Sequence, residues 1–209
     1  MKIEHLTLGA YETNCYVLSD GDAARDCLVI DPGLDAGALI DFVKGRNLNP
    51  VVVVLTHGHI DHIAGVAALR AEFRDVKVHI HELDAPMLSE PHANLSVMNG
   101  MAFSTEPQDV SLQERDVIEQ AGIKLLVLHT PGHTPGGICL YSQPDGAAFV
   151  GDTLFADSVG RTDFPGGSMY QLLDSVKDKL FTLPDETNVY PGHGPPTTIA
   201  REKAHNPFF

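Results

Sequence analysis

Residues 51–62 read Val51-Val52-Val53-Val54-Leu55-Thr56-His57-Gly58-His59-Ile60-Asp61-His62. An unbroken aliphatic run that stops at a polar turn marks a buried strand. Three imidazoles and one carboxylate follow it within six residues. Neutral imidazole and carboxylate are good zinc ligands, at roughly 2.0–2.2 Å. The strand fixes position and the turn exposes side chains at one edge of a sheet. In such a turn His57 and His59 can point to one metal, while Asp61 and His62, entering a helix, can point to a second. Gly58 is read as removing a side chain where the backbone bends tightly. The aliphatic run before the turn argues against a solvated polar loop.

The same grammar recurs. Residues 27–30 run into Asp31-Pro32-Gly33, and 125–128 into His129-Thr130-Pro131-Gly132-His133. Residues 147–150 run into Gly151-Asp152, and 187–190 into Pro191-Gly192-His193-Gly194. Asp152 carries two oxygens and can bridge two cations. The ligand count then closes: His57, His59, His133 and one Asp152 oxygen for the first metal; Asp61, His62, His193 and the other oxygen for the second. The expected cofactors are two zinc ions, and iron or manganese accept the same donors. Two cations roughly 3.5–4 Å apart depress the pKa of a shared water toward neutrality and polarise a carbonyl. Asp61 lies between the two ligand sets and is the candidate catalytic group, taking the proton of that water.

Helical patterns separate these strands. Residues 60–73 bring Ile63, Val66, Ala67 and Phe73 near one face, 169–180 bring Leu172, Leu173, Val176 and Leu180 together, and 36–44 form a third candidate. The opening segments, 2–8 and 14–19, read as a strand meander. Residues 86–112, with Pro86, Pro91, Asn94, Asn99 and Pro107, read as a loop or lid insertion over the sheet edge. The expected architecture is α/β, with sheets in the middle and helices outside.

Composition limits the partners. The chain has 209 residues, 43% of them hydrophobic, enough for one compact domain. Lys and Arg total 14 against 28 Asp and Glu, a formal charge of -14. Such a surface repels phosphate backbones and anionic lipid, so neither nucleic acid nor a membrane is an expected partner. No apolar stretch is long enough to span a bilayer, and the N-terminus Met1-Lys2-Ile3-Glu4-His5 shows no secretory h-region. The scattered Cys15, Cys27 and Cys139 read as reduced core thiols, and the expected location is cytoplasmic. Among the remaining histidines, His79 and His81 alternate in a strand and read as structural, with His81→Ala expected to do little to activity. His129 reads as a buried neighbour of the site.

Thr56-His57-Gly58-His59-Ile60-Asp61-His62, with His133, Asp152 and His193 in that order, resembles the metallo-β-lactamase superfamily over nearly the whole chain. The resemblance implies an αββα sandwich: two mixed β-sheets packed face to face, helices outside, and metals at one edge. It also implies that Asp31, in its Asp-Pro-Gly turn, orients a ligand histidine from outside the metal shell. Within the superfamily, Gly151-Asp152-Thr153-Leu154-Phe155, the stretch from Gly160-Arg161-Thr162-Asp163-Phe164 to Ser168, and the closing His205-Asn206-Pro207-Phe208-Phe209 resemble glyoxalase II, the hydroxyacylglutathione hydrolases, in their short bacterial branch. Full-length enzymes of that group carry a C-terminal helical domain that supplies glutathione contacts. The expectation here is a single domain over 1–209 without it.

The expected activity is thioester hydrolysis by a metal-bridging hydroxide, on a small acyl-thioester such as an S-lactoylglutathione-type conjugate. Arg161 is a candidate for binding a substrate carboxylate, weighed against a plain Arg161–Asp163 ion pair. The alternative is a mononuclear iron persulfide dioxygenase, which shares the Gly-Arg-Thr-Asp-Phe stretch and whose ligands would map to His57, His133 and Asp152. A cysteine often found two positions before that arginine is Val159 here. Lactonase or another hydrolysis of the same superfamily, a β-lactamase, a tRNA-processing nuclease and a non-catalytic metal scaffold complete the readings. The charge of -14 opposes the nuclease, and the full ligand set opposes the scaffold.

Overall fold

The computed structural model describes all 209 residues, Asn99 through its backbone alone. The first sheet is built from β1 (Lys2–Leu8), β2 (Thr13–Ser19), β3 (Asp26–Ile30), β4 (Asn49–Val54), β5 (Lys77–His81) and β6 (Val110–Leu112), in that spatial order. β1, β2 and β3 run antiparallel, and β3 to β6 run parallel. The second sheet uses β7 (Val117–Gln120), β8 (Ile123–His129), β9 (Ile138–Ser142), β10 (Ala147–Gly151), β13 (Asn188–Pro191) and β14 (Thr197–Thr198), in the order β14-β13-β10-β9-β8-β7. Its β10–β13 pair is parallel and the other pairs antiparallel. β11 (Leu154–Phe155) and β12 (Ser158–Val159) form a small separate ribbon.

Alternation along the central strands generates the layers. Leu28 and Ile30 of β3 and Val52 and Val54 of β4 pack inward against Leu125, Val127, Leu140 and Phe149 of the second sheet. Their neighbours Cys27, Val29 and Val53 face the other way, onto α1 (Ala36–Gly45) and α3 (Val66–Glu72) through Leu39, Val43, Val66 and Leu69. Across the sandwich, Leu128, Ala148 and Val150 face Leu172 of α4 (Met169–Ser175) and Ile199 of α5 (Ile199–His205). Three stacked apolar layers make the αββα arrangement, and burial on both faces explains why these strands read as continuous aliphatic runs. The three cysteines are free and buried, as small core residues.

Three local expectations are corrected. The helix over 60–73 is broken into α2 (Ile60–Ile63) and α3, because Gly65 turns its N–H to the Pro32 carbonyl at 2.7 Å. A Cβ at Gly65 would lie 2.7 Å from that same oxygen, so the break seats the helix against the Asp31-Pro32-Gly33 turn. The helix over 169–180 widens into a π turn at Val176–Leu180. The 86–112 segment is not simply an insertion: it ends in β6, an edge strand of the first sheet. Its middle is also pinned, because Asn94 is buried, donates to the Met87 and Phe103 carbonyls, and accepts the Ile60 N–H on its own carbonyl.

Candidate metal centre

Every candidate ligand follows the C-terminal end of a strand, β4, β8, β10 or β13, on the turn itself or, for Asp61 and His62, in the short helix α2 just beyond it. The two sheets are stitched there by backbone bonds, Ile138 N–H to the Thr56 carbonyl at 2.9 Å and Asn14 N–H to the Gly192 carbonyl at 2.7 Å. The structure brings all seven residues together in three overlapping groups: His57, His59 and His133; His57, His62 and Asp152; Asp61, His62 and His193. His59 Nδ1 lies 2.9 Å from His133 Nε2, and His62 Nε2 lies 3.3 Å from His193 Nε2. Asp61 Oδ2 is 3.2 Å from His193 Nε2. Asp152 stands between the groups, with Oδ1 3.4 Å from His62 Nε2 and Oδ2 3.6 Å from both His133 Nε2 and His193 Nε2. Donors on a tetrahedral cation with bonds of about 2.1 Å lie roughly 3.4 Å apart, so these spacings fit cations held among them.

The tautomers are set from behind. His133 Nδ1–H donates to the Arg161 carbonyl at 2.7 Å, and His193 Nδ1–H to the Tyr11 carbonyl at 3.0 Å. His62 Nδ1–H donates to Asp31 Oδ2 at 2.9 Å. Thr56 Oγ1–H donates to the same Asp31 oxygen at 2.6 Å, which leaves the Thr56 oxygen to accept His57 Nδ1–H at 3.2 Å. Four imidazoles therefore turn Nε2 toward the centre, the arrangement metal-binding histidines require. Two of the facing atoms, His57 Nε2 and Asp152 Oδ1, are buried without a hydrogen-bond partner. Orphaned buried acceptors are costly, and a bound cation satisfies them.

The charges agree. Burial, and then His133, pull His59 down to about 3; burial with His62 and His133 holds His57 well below its usual range. Both imidazoles are thus neutral and ready to ligate. Burial opposes charge on His62, but the carboxylates of Asp61, Asp152 and Asp31 outweigh it and push His62 up to about 10. The pocket therefore favours positive charge at its centre, which a divalent ion supplies.

Several residues that complete the site carry no sequence motif. Asp84 is fully buried and clamps two ligand turns at once: it accepts the Gly58 N–H at 3.1 Å, the Thr134 hydroxyl at 2.7 Å and the Gly136 N–H at 2.6 Å. Gly58 itself is needed for a different reason than a tight bend. A Cβ there would lie 2.5 Å from the Met87 Cβ, so the turn packs flush on the 3₁₀ turn Ala85–Leu88. Arg161 makes the ion pair weighed above, with Nε and Nη2 on the two Asp163 oxygens at 2.7 Å each, and stacks over Phe164 at 4.0 Å. His129 lies outside the cluster; its ring stacks on His81 at 4.1 Å. The cluster floors a cleft of about 560 Å³, whose walls include Tyr11, Leu95, Met98, Phe155, Arg161 and Phe164.

A sandwich of this kind with a histidine–aspartate centre at one edge defines a class of metal-dependent hydrolases. The chain belongs to the Metallo-beta-lactamase superfamily, whose model matches residues 8–193. It is similar to the hydroxyacylglutathione hydrolase GloC of Haemophilus influenzae, 36% identical over all of this chain and 98% of that protein. Among solved structures it is similar to the BLEG-1 B3 metallo-beta-lactamase, with a TM-score of 0.94, 39% identity and 99% of each chain covered. It is also similar to TTHA1623 in a di-iron-bound form, with a TM-score of 0.87, 37% identity and 99% and 100% covered. The chain is a metallo-hydrolase of that superfamily. No helix among the described residues is long and apolar enough to cross a membrane.

Proposed function

We propose that this chain is a binuclear metal-dependent thioesterase. The observation that carries the reading is the convergence of two donor sets, His57, His59 and His133 on one side of Asp152 and Asp61, His62 and His193 on the other, at the floor of a largely apolar cleft. Each set would hold one cation, zinc or iron, with Asp152 between them. When bound, the two ions lower the pKa of a shared water into the physiological range and polarise the acyl carbonyl. Asp61 receives the proton. Burial would raise its pKa, but His62 and His193 hold the carboxylate ionised, and Thr13 Oγ1 donates to it at 3.4 Å. Phe164 and Phe155 flank the floor beside His59 and His193.

A thiol with an ordinary pKa of about 8.5 leaves as thiolate with little protonation, so the chain needs no separate acid for it. The relative named for hydroxyacylglutathione hydrolysis supports the thioester, and the di-iron neighbour supports two ions. A mononuclear iron dioxygenase would need His57, His133 and Asp152 alone; the assembled Asp61, His62 and His193 set favours hydrolysis. The test is elemental analysis with thiol release from S-acyl thioesters. Two ions per chain, hydrolysis, and a loss of at least about a hundredfold in kcat for Asp61→Asn are expected. One iron per chain, with oxygen consumed on glutathione persulfide, would replace this reading with the dioxygenase.

A further inference from the structure

The cleft has two chemically different ends. At the His193 end, Tyr11 supplies the carbonyl that holds the imidazole, and the Phe155 ring lies edge-on to it at 6.3 Å. The ligand carboxylates Asp61 and Asp152 and the Ser158 hydroxyl complete the polar lining, with no Lys or Arg beside them among the described residues. At the His59 end, the Phe164 ring lies 5.7 Å from His59, and the Arg161 guanidinium stacks over that ring at 4.0 Å. Among the described residues lining the cleft, Arg161 is the one Lys or Arg. Asp163 takes its Nε and Nη2, leaving Nη1 with its two N–H donors. Ile60, Leu95, Met98 and Val159 add apolar lining, and Met98 is 67% exposed. An exposed apolar wall over a metal centre is the mark of a site covered by an apolar ligand.

Resting on the thioesterase reading, we propose that the substrate is an acyl thioester with an apolar acyl chain seated at the Tyr11–Phe155 end and a thiol seated at the Phe164 end, where the single available guanidinium edge of Arg161 binds at most one carboxylate. Glutathione carries two carboxylates and an ammonium. The cleft offers one cation edge for these groups, and the chain around it has a net charge of -14. A thiol of cysteine size with one carboxylate satisfies Arg161 and leaves no charge unpaired on the apolar walls, where an unpaired charge is costly. The side chain of Arg161 is separable from its carbonyl, which holds His133 whatever residue stands there.

The experiment compares thioesters of N-acetylcysteamine (no carboxylate), N-acetylcysteine (one) and glutathione (two), each with acetyl, butyryl and hexanoyl groups, on the metal-loaded protein. Binding of the matching unreactive thioethers is measured in parallel by calorimetry. Expected are a rise in kcat/KM of about fourfold per added methylene, a preference of about tenfold for N-acetylcysteine over N-acetylcysteamine, and no further gain with glutathione. Arg161→Gln should shrink the tenfold preference to below about twofold, and Phe155→Ser should flatten the chain-length series. Thioether binding should become tighter with chain length and show a negative heat-capacity change. Activity flat in chain length, or glutathione thioesters preferred tenfold or more over those of N-acetylcysteine, would overturn the proposal while leaving the thioesterase standing. Absence of turnover of all nine thioesters by fully loaded protein would overturn the thioesterase and this proposal with it.

Discussion

Asp31 shows what a single residue contributes by hydrogen bonds behind the histidine cluster. Its carboxylate accepts the Thr56 N–H at 2.7 Å, the Thr56 hydroxyl and the His62 ring. Its backbone has φ 51, a left-handed value that Asn tolerates and Ala resists. Asp31→Asn therefore isolates the electrostatic role from backbone strain. It should weaken the second metal by about 10–100-fold, read by competition with a chelator, while Asp31→Ala should lose a further ~1 kcal/mol or more in denaturant melts. An unchanged second-site affinity in Asp31→Asn would mean that His62 is held some other way. His81 is the contrasting case. Its ring is buried against His129, so His81→Ala should lower stability by about 1–2 kcal/mol. Activity per folded molecule should stay within about twofold, because the pair lies outside the cleft.

Protonation at the residue scale sets the pH response of the metal-free protein. His59 falls to about 3 in the fold, and His57 also sits below its unfolded value. Each is neutral when folded and charges when unfolded below pH ~6.5. Their contribution is complete above that pH and is lost on acidification, at about 1.4 kcal/mol per pH unit for each ring. His62, pushed up to about 10, is protonated in both states across this window and adds no slope. Metal-free protein should lose stability steeply from pH 6.5 toward 4 in urea titrations. A flat profile there would contradict the neutral state of these two rings.

At the scale of elements, the central strands and the helical segments holding α1 to α4 were legible, and α5 was not. The central strands are buried on both faces, so their aliphatic runs stand out in the sequence. α5 buries Ile199 and Glu202, so its inward face carries one apolar residue and no apolar period emerges; Glu202 is held by Thr197, Asn206 and the Asp157 N–H. The clustered histidines and aspartates were legible because their side chains carry the donor atoms that the fold brings together. The carbonyls of Arg161 and Tyr11 that aim His133 and His193 were not, because every residue type carries a carbonyl. The turn after β13 gives a direct test of this tight placement. A Cβ at Gly192 would lie 2.3 Å from Asp152 Oδ1 and 2.7 Å from His62 Cε1. Gly192→Ala should keep its far-UV circular dichroism yet lose about a hundredfold in kcat and part of its metal. Full metal content with normal turnover would show that the turn has slack the distances deny.

At the scale of the whole molecule, the centre is where the two sheets are joined at their shared edge. His57, His59, Asp61 and His62 come from the first sheet, and His133, Asp152 and His193 from the second. A cation held by donors from both sheets binds the folded sandwich and finds no such site in the unfolded chain, so binding free energy adds to folding free energy. At free metal about a thousandfold above Kd, one ion adds about 4 kcal/mol. For a chain of this size each kcal/mol moves Tm by about 2–4 °C. Two ions should therefore raise Tm by at least about 15 °C, and a strong chelator should reverse it. His59→Ala and His193→Ala, which remove one donor from each sheet's share, should each forfeit part of that rise. A Tm indifferent to complete metal removal would mean that the sheets are locked by their apolar interior alone, and that the ions, wherever they bind, do not join the two halves of the sandwich.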